Sequence, residues 1–124
     1  LNEMIRAFHY RAFCWACEGG HTRIINRLIE LAPEKISDMI AADNYESFRW
    51  ATQKGRVNVI ELLISLAGDK IPKIIKTNDF EVLENASNNG HPEVLSILKP
   101  FISLPLKTEL KRQNPVLFNK IFNI

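Results

Sequence analysis

The chain has 124 residues, of which 46% are hydrophobic and 24% are charged, and its formal net charge at pH 7 is +2. These fractions are typical of a folded globular domain and argue against the disordered and membrane classes. The apolar runs are shorter than the roughly 18 residues of a membrane-spanning helix, so we expect no contact with a membrane.

Charges of both signs are spread along the chain. Residues 9–43 carry four basic and five acidic side chains, residues 44–78 carry six and three, and residues 79–113 carry four and five. A nucleic-acid-binding domain usually concentrates its basic residues on one face. We therefore predict no nucleic-acid partner.

One pattern of aromatic, small and aliphatic residues occurs three times, at a fixed spacing of 35 residues and without insertions. A period of this length is typical of a solenoid, in which each unit buries its apolar face against its neighbours. We therefore predict a single repeat domain over residues 1–124. Its parts are the end of a preceding unit (1–8), three units (9–43, 44–78 and 79–113) and a C-terminal half-unit or cap (114–124).

The N-terminal segment has the apolar pattern that precedes each later unit, and its members are Leu1, Met4, Ile5 and Ala7. Solenoids need polar caps at their ends, and this end has none. We interpret the chain as a fragment of a longer protein, and the uncapped face is one candidate surface for self-association.

Each unit predicts two helices. The first runs from about Tyr10 to Gly19, Tyr45 to Lys54 and Phe80 to Asn89. Asn44 and Asp79 precede two of these helices and are expected to cap them by accepting a hydrogen bond from the first turn, and His9 stands in the same position in the first unit. A glycine follows each of these helices, as a left-handed stop position requires, at Gly20, Gly55 and Gly90. The second helix is predicted over Thr22–Leu31, Val57–Leu66 and Pro92–Leu98.

A short third helix is predicted between units. Pro33 is followed by Ile36, Met39 and Ile40 at helical spacing, and Pro72–Lys76 has a weaker form of the same pattern. The alternative, a β-hairpin finger, lacks an Asn-Gly or Asp-Gly turn.

The C-terminal segment departs from the pattern at Pro100 and Pro105 and then starts a last helix at Asn114-Pro115. We interpret this segment as a cap that closes the stack. The alternative is an exposed ridge with Phe118 and Phe122 that binds a partner or a second copy.

The repeated spine resembles that of ankyrin repeats. It reads Ala16…Gly20-His21…Ile24-Ile25…Leu28-Ile29 in the first unit, Ala51…Gly55-Arg56…Val59-Ile60…Leu63-Ile64 in the second and Ala86…Gly90-His91…Val94-Leu95…Leu98 in the third. The resemblance covers about residues 9–100, although the Thr-Pro-Leu-His opening of the family is absent and the period is 35 instead of the usual 33. It implies an all-α solenoid of about three and a half ankyrin-like units, with a short extra helix in place of the usual hairpin loop.

The resemblance also implies a function: a protein–protein interaction module of a larger protein, without catalytic residues or cofactors of its own. The long units with an Asn-Tyr opening resemble those of ankyrin-type effectors of intracellular bacteria, which would place the protein in a host cytoplasm. Two alternatives stay open. One is single-stranded RNA binding by pentatricopeptide-like units, which also have a period of 35. The other is an accessory role beside an enzyme domain upstream.

Cys14 and Cys17 form a C-x-x-C pair, but Cys17 lies in a packing position that holds Thr52 and Ser87 in the other units. A redox pair would need a βαβ context, and a zinc site would need further ligands. We therefore predict no metal site and a reducing, cytoplasmic compartment. His21 and His91 follow the glycines, where ankyrin repeats use a histidine to bond across the stack.

The copies indicate where a partner would bind, because positions that differ between units are free to specialise. In ankyrin repeats the first helix lines the concave surface. The candidate contact residues on this helix and its exit are Arg11, Trp15, Glu18, Glu46, Arg49, Trp50, Gln53, Lys54, Glu81, Glu84, Asn85, Asn88 and Asn89. Trp and Arg are common binding hot spots, but Trp15 and Trp50 could equally pack between units.

Overall fold

The computed structural model describes the backbone of residues 2–122 and the side chains of residues 10–122. Over this range the chain is helical, and the described residues contain no strand. The helices are α1 (Asn2–Gly19), α2 (Thr22–Leu31), α3 (Ile36–Lys54), α4 (Val57–Ala67), α5 (Ile71–Asn88), α6 (Pro92–Leu98), α7 (Leu104–Gln113) and α8 (Pro115–Phe122). Short 3-10 helices at Pro33–Lys35, Gly68–Lys70 and Lys99–Phe101 complete the connections. The predicted all-α repeat architecture is confirmed.

The second helices of the units, α2, α4 and α6, have the predicted bounds to within one residue. Each is preceded by a glycine with a left-handed backbone, with φ of 75° at Gly20, 70° at Gly55 and 69° at Gly90. In this conformation the backbone N–H of the next residue donates to the carbonyl of an alanine five residues earlier, which all three units have. Arg56 bonds Ala51 in this way at 2.9 Å. The predicted helix stops are therefore confirmed.

The predicted third helix is also confirmed, but it is joined to the next unit in an unexpected way. It forms the first part of α3 and of α5, and a left-handed turn links it to the second part. In α3 this turn contains Asp43, Asn44 and Tyr45, with φ between 53° and 60°; in α5 it is formed by residues 78–80. A left-handed non-glycine residue is costly, except that Asn and Asp tolerate this conformation better than most.

The turn corrects the prediction that Asn44 and Asp79 cap the first turn through their side chains. Within the described residues, neither side chain makes such a hydrogen bond; both residues instead supply left-handed backbone. The burial of Tyr45 and Phe80, which follow them directly, holds the turn against the core. His9, which stands in the same position in the first unit, lies outside the residues whose side chains are described.

The core follows the repeated positions. Phe13, Phe48 and Leu83 of the first helices are completely buried, and so are Ile25, Ile60, Leu63 and Leu98 of the second helices. The first helices α1, α3 and α5 pack directly against one another, whereas contacts between the second helices are sparser. The first helices therefore form the more closely packed layer of the stack, which we call its inner side.

The C-terminal helices close one end of this core. Asn114 accepts a hydrogen bond from the backbone N–H of Leu117 at 3.1 Å and so caps α8. Phe118 is only 8% exposed, and the Lys111 ammonium lies 5.7 Å from the centre of its ring. Phe118 is therefore part of the cap. The alternative prediction, in which Phe118 belongs to an exposed ridge, is wrong for this residue. Phe122 is half-buried, and self-association through it stays a prediction.

At the other end, the apolar face predicted at Leu1–Ala7 lies outside the residues whose side chains are described. In α2, Ile24 and Leu31 are exposed, whereas Val59 in the position equivalent to Ile24 is completely buried. Self-association through the N-terminal face stays a prediction.

Candidate functional site

All of the predicted contact residues are exposed or half-buried, and they follow one another along α1, α3 and α5 on the inner side of the stack. Most of them line two grooves between successive first helices. Lys54, Glu84, Asn88 and Asn89 are exposed but line neither groove.

The first groove lies between α1 and α3 and has a volume of about 300 Å³. Its predicted members are Arg11, Trp15, Glu18 and Glu46. The residues that the sequence did not single out as contacts are Tyr10, Cys14, Met39, Ala42, Asp43 and Ser47. Carboxylates therefore outnumber cations in this groove.

The second groove lies between α3 and α5 and has a volume of about 250 Å³. Its lining consists entirely of predicted contact residues, which are Arg49, Trp50, Gln53, Glu81 and Asn85. The structure therefore brings together side chains that are far apart in the sequence.

The two tryptophans differ in their environment. The Trp15 side chain is 58% exposed, and its ring stacks on that of His21 with 4.7 Å between ring centres. Trp50 is half-buried, and its indole N–H donates to the Glu46 carboxylate at 3.2 Å. Trp15 is thus the more accessible of the two aromatic surfaces on the inner side.

The Arg49 side chain forms three hydrogen bonds within the chain, which a side chain that is free to contact a partner would not do. Its Nε donates to the carbonyl of Asn44 at 3.0 Å, and its two terminal nitrogens donate to the carbonyl of Asp43 and the carboxylate of Glu81, both at 2.9 Å. The side chains of Arg49 and Glu81 are only 21% and 33% exposed. Arg49 therefore ties the left-handed turn of α3 to the following unit, a role that the sequence pattern did not indicate.

In the second and third units, the residue after the glycine makes the predicted bond across the stack. The ring nitrogen Nε2 of His91 lies 2.9 Å from the carbonyl oxygen of Gln53. In the preceding unit Arg56 takes the same place, and its Nε donates to the carbonyl of Glu18 at 2.9 Å. This role of His91 is confirmed, and Arg56 performs it too. His21 instead stacks on Trp15.

Both cysteines are free thiols. Burial is the main cause that raises the pKa of the Cys14 thiol from 9.0 to about 11; nearby carboxylates, led by Glu46 and Glu18, add to the increase and Arg49 opposes it. Burial also raises the pKa of the Cys17 thiol. Since only the thiolate is a good nucleophile and metal ligand, neither cysteine is activated at neutral pH.

We expect the folded protein to react slowly with iodoacetamide. A pKa that is raised from 9.0 to about 11 lowers the thiolate fraction of Cys14 near neutral pH by about 100-fold, so alkylation at about pH 8 should be slower than that of a free thiol by about this factor. The folded state retains these protons above pH 9, where the unfolded state loses them, so stability should decrease as the pH rises. Mass spectrometry with and without denaturant measures the labelling. Equal rates in the two conditions would contradict the expectation.

Ser47 is a further residue that the sequence did not single out. It lines the first groove and is only 2% exposed, and its hydroxyl has no hydrogen-bond partner among the described residues. The equivalent positions hold Ala12 and Val82, which are apolar. The only signal in the sequence was this single polar residue in an otherwise apolar position.

We expect Ser47→Ala to stabilise the fold by about 1 kcal/mol, because a buried hydroxyl without a partner is unfavourable. Thr52→Ala is the matched control: the Thr52 hydroxyl is also buried but donates to the Phe48 carbonyl at 2.8 Å, so its loss should destabilise the fold. Urea denaturation measures both variants. A loss of stability in Ser47→Ala would show that the hydroxyl is satisfied.

Within the described residues, no group of three or more His, Cys, Asp or Glu side chains is arranged to hold a metal ion. None of the described helices has the length and apolar character needed to cross a membrane.

The chain was compared with known proteins. It matches no protein-family model and no curated protein. Among solved structures it is similar to the X-ray structure of an ankyrin repeat family protein from Legionella pneumophila, with 37% sequence identity and a TM-score of 0.71. The match covers 75% of this chain but only 27% of that protein. The stack of paired helices, the glycine stops and this similarity lead to one conclusion: the chain has an ankyrin-like repeat fold.

Proposed function

We propose that the chain is a protein–protein interaction module that binds its partner along the inner side of the stack. The observation that carries this proposal is the division of the repeat positions. Most positions that are alike in the three units are buried, whereas many of those that differ, such as Arg11, Glu46 and Arg49, line the two grooves between first helices. Side chains that differ from unit to unit and face solvent in a row form a surface on which one partner can be selected.

The charges of this surface favour a protein over a nucleic acid. Among its described residues, the first groove has three carboxylates, from Glu18, Asp43 and Glu46, and one cation, Arg11. In the second groove the cation Arg49 is paired with Glu81 at 2.9 Å. A polyanion needs unpaired Lys and Arg side chains along its path, so RNA binding is the weaker alternative.

Other parts of the proposal extend beyond the grooves. The fold is typical of interaction modules without catalysis, and we propose that this chain has no enzymatic activity of its own. The free thiols suit a reducing compartment, which we propose to be cytoplasmic. The similarity to a protein of Legionella pneumophila supports the proposal of a bacterial effector that acts on host proteins in the host cytoplasm.

The test compares two triple variants in affinity capture with quantitative mass spectrometry. The first changes exposed residues of the inner side, one in each unit: Trp15→Ala, Gln53→Arg and Glu84→Arg. The control changes exposed residues of the second helices: Arg27→Ala, Glu61→Arg and Glu93→Arg. We expect the first variant to lose captured partners and the control to retain them, with both melting within a few degrees of wild type. The opposite result would place the partner on the second helices and overturn the proposal.

A further inference from the structure

The repeat allows the two grooves to be compared position by position. At an interval of 35 residues, Glu46 in the first groove corresponds to Glu81 in the second, and Cys14 corresponds to Arg49. Both grooves are formed in the same way, by the first helices of two successive units. The second groove therefore serves as an internal reference for what the first groove can hold.

In the second groove a guanidinium lies against the carboxylate. Arg49 and Glu81 come from different units, are 2.9 Å apart and are largely buried. A planar guanidinium is suited to such a place, because its fixed donors match a carboxylate and backbone carbonyls at the same time.

In the first groove the carboxylate is present and the guanidinium is not. Cys14 is too short and uncharged to take the place of Arg49, and within the described residues Glu46 forms no salt bridge, although its carboxylate accepts from Trp50. Among the described lining residues, Asp43 and Glu18 add two carboxylates to that of Glu46 and Arg11 adds one cation, which leaves two more negative than positive groups. The described residues of the groove thus have an excess of negative charge that favours a further cation.

Two further groups fit a guanidinium in particular. The ring of Trp15, which stacks on His21 on one side and is 58% exposed, borders the groove. A guanidinium stacks on tryptophan better than an ammonium does. The Ser47 hydroxyl lies buried in the lining and has no hydrogen-bond partner among the residues that the structure describes. This observation does not depend on the charges of the groove. An N–H donor of a ligand could form a hydrogen bond with the Ser47 hydroxyl after a small movement of the lining.

We propose that the first groove binds an arginine side chain of the partner protein, with its guanidinium paired with Glu46 in the way that Arg49 pairs with Glu81, and stacked on Trp15. The inference rests on the proposed interaction function and adds the chemistry of the partner: an exposed arginine on a loop or extended segment.

The test titrates the protein with a short acetylated and amidated peptide, Gly-Ser-Arg-Ser-Gly, and observes the tryptophan indole N–H signals by NMR. Two further peptides carry citrulline, which has the shape of arginine without its charge, or lysine. We expect saturable shifts of the Trp15 signal with the arginine peptide, weaker binding by several-fold with lysine and by at least about ten-fold with citrulline. Equal affinity for the arginine and citrulline peptides would overturn the proposal.

Three variants sharpen the assignment. Glu46→Gln removes the charge but keeps an oxygen that can accept from Trp50, and it should weaken the arginine peptide by about ten-fold. Glu61→Gln removes the same charge from an exposed position on α4 and should change the affinity by less than two-fold. Cys14→Arg supplies the missing guanidinium from within the chain and should abolish binding. Equal losses in the first two variants would show a general charge effect and overturn the proposal.

The peptide titration and the affinity capture can fail independently of each other. If the arginine peptide fails to bind while the inner-side triple variant still loses its partners, the proposed arginine site is wrong and the proposed interaction module is supported. If the peptide binds as expected while that variant retains its partners, the groove is a basic-residue site and the proposed inner-side module is wrong.

Discussion

Gly55→Ala is expected to lower the free energy of unfolding by roughly 2–4 kcal/mol, for two reasons that act together. The first is the backbone: Gly55 has φ of 70° and ψ of 32°, a left-handed conformation that costs a residue with a side chain roughly 1 kcal/mol or more. The second is steric: a Cβ at this position would lie 2.6 Å from Nδ1 of the His91 ring. Overpacking of this kind typically costs a further 1–3 kcal/mol, roughly.

The ring of His91 cannot simply move away. Its other nitrogen lies 2.9 Å from the carbonyl oxygen of Gln53, so a retreat would break the bond that joins the second and third units. The variant therefore either accepts a close contact or gives up a bond between units.

Gly90→Ala is the matched control for this prediction. Gly90 has nearly the same backbone, with φ of 69°, but nothing lies within 4 Å of a Cβ at this position. Its replacement should therefore cost only the backbone share, roughly 1 kcal/mol. Urea denaturation measures the two variants side by side. If they lose equal stability, the contact with His91 contributes nothing.

A double variant separates the two causes further. In the His91→Ala background the close contact is absent, so Gly55→Ala should cost about as much as Gly90→Ala does alone. The difference between the two backgrounds is the coupling energy between Gly55 and His91. Additive losses would show that the two residues are independent.

Much of this architecture could be predicted from the sequence because it repeats. A period of 35 residues that appears three times specifies which positions are buried, and Phe13, Phe48 and Leu83 are all completely buried as expected. The glycine stops, and Pro92 in the third unit, then indicate where the second helices start. The bond of His91 across the stack followed from the resemblance to ankyrin repeats.

The left-handed turn could not be predicted in this way. An Asn or Asp before a helical run fits a side-chain cap and a left-handed backbone equally well, and the sequence contains nothing that separates the two. Only the packing of Tyr45 and Phe80 into the core decides between them.

The hydrogen bonds of single side chains could not be predicted from the sequence either. Arg49 differs from its counterparts Cys14 and Glu84, which suggested a free contact residue, but variation between units also occurs where one unit alone gains an internal bond. The partners of Arg49 are two backbone carbonyls and a residue of the next unit, and periodicity carries no information about such pairs.

Arg49→Ala is therefore expected to lower the free energy of unfolding by about 2–3 kcal/mol. The variant loses three charge-assisted hydrogen bonds, to the carbonyls of Asp43 and Asn44 and to the carboxylate of Glu81. Bonds that involve a charged group contribute more than neutral ones. Arg49→Lys should restore only part of the loss, because a single ammonium cannot reach three acceptors with the geometry of a guanidinium. Thermal and urea denaturation measure both variants.

Arg27→Ala provides the scale for a surface ion pair. Arg27 and Glu30 are 3.1 Å apart, but their side chains are 69% and 66% exposed. Such a pair contributes at most about 0.5 kcal/mol. If Arg49→Ala cost no more than this, Arg49 would be the free contact residue that its variation between units first indicated.

Glu81→Gln separates the two contributions of Arg49 to stability, which are its bonds to the turn and its ion pair with the next unit. This variant weakens the link to the next unit but leaves both bonds to the turn carbonyls in place, so it should cost about 1 kcal/mol, less than Arg49→Ala. The turn itself should persist in every variant, because α5 forms the same left-handed turn at residues 78–80 with Glu84 in the place of Arg49. Arg49 thus stabilises a turn that the backbone and the buried aromatic residue already form, and the second groove contains an internal arginine as a consequence.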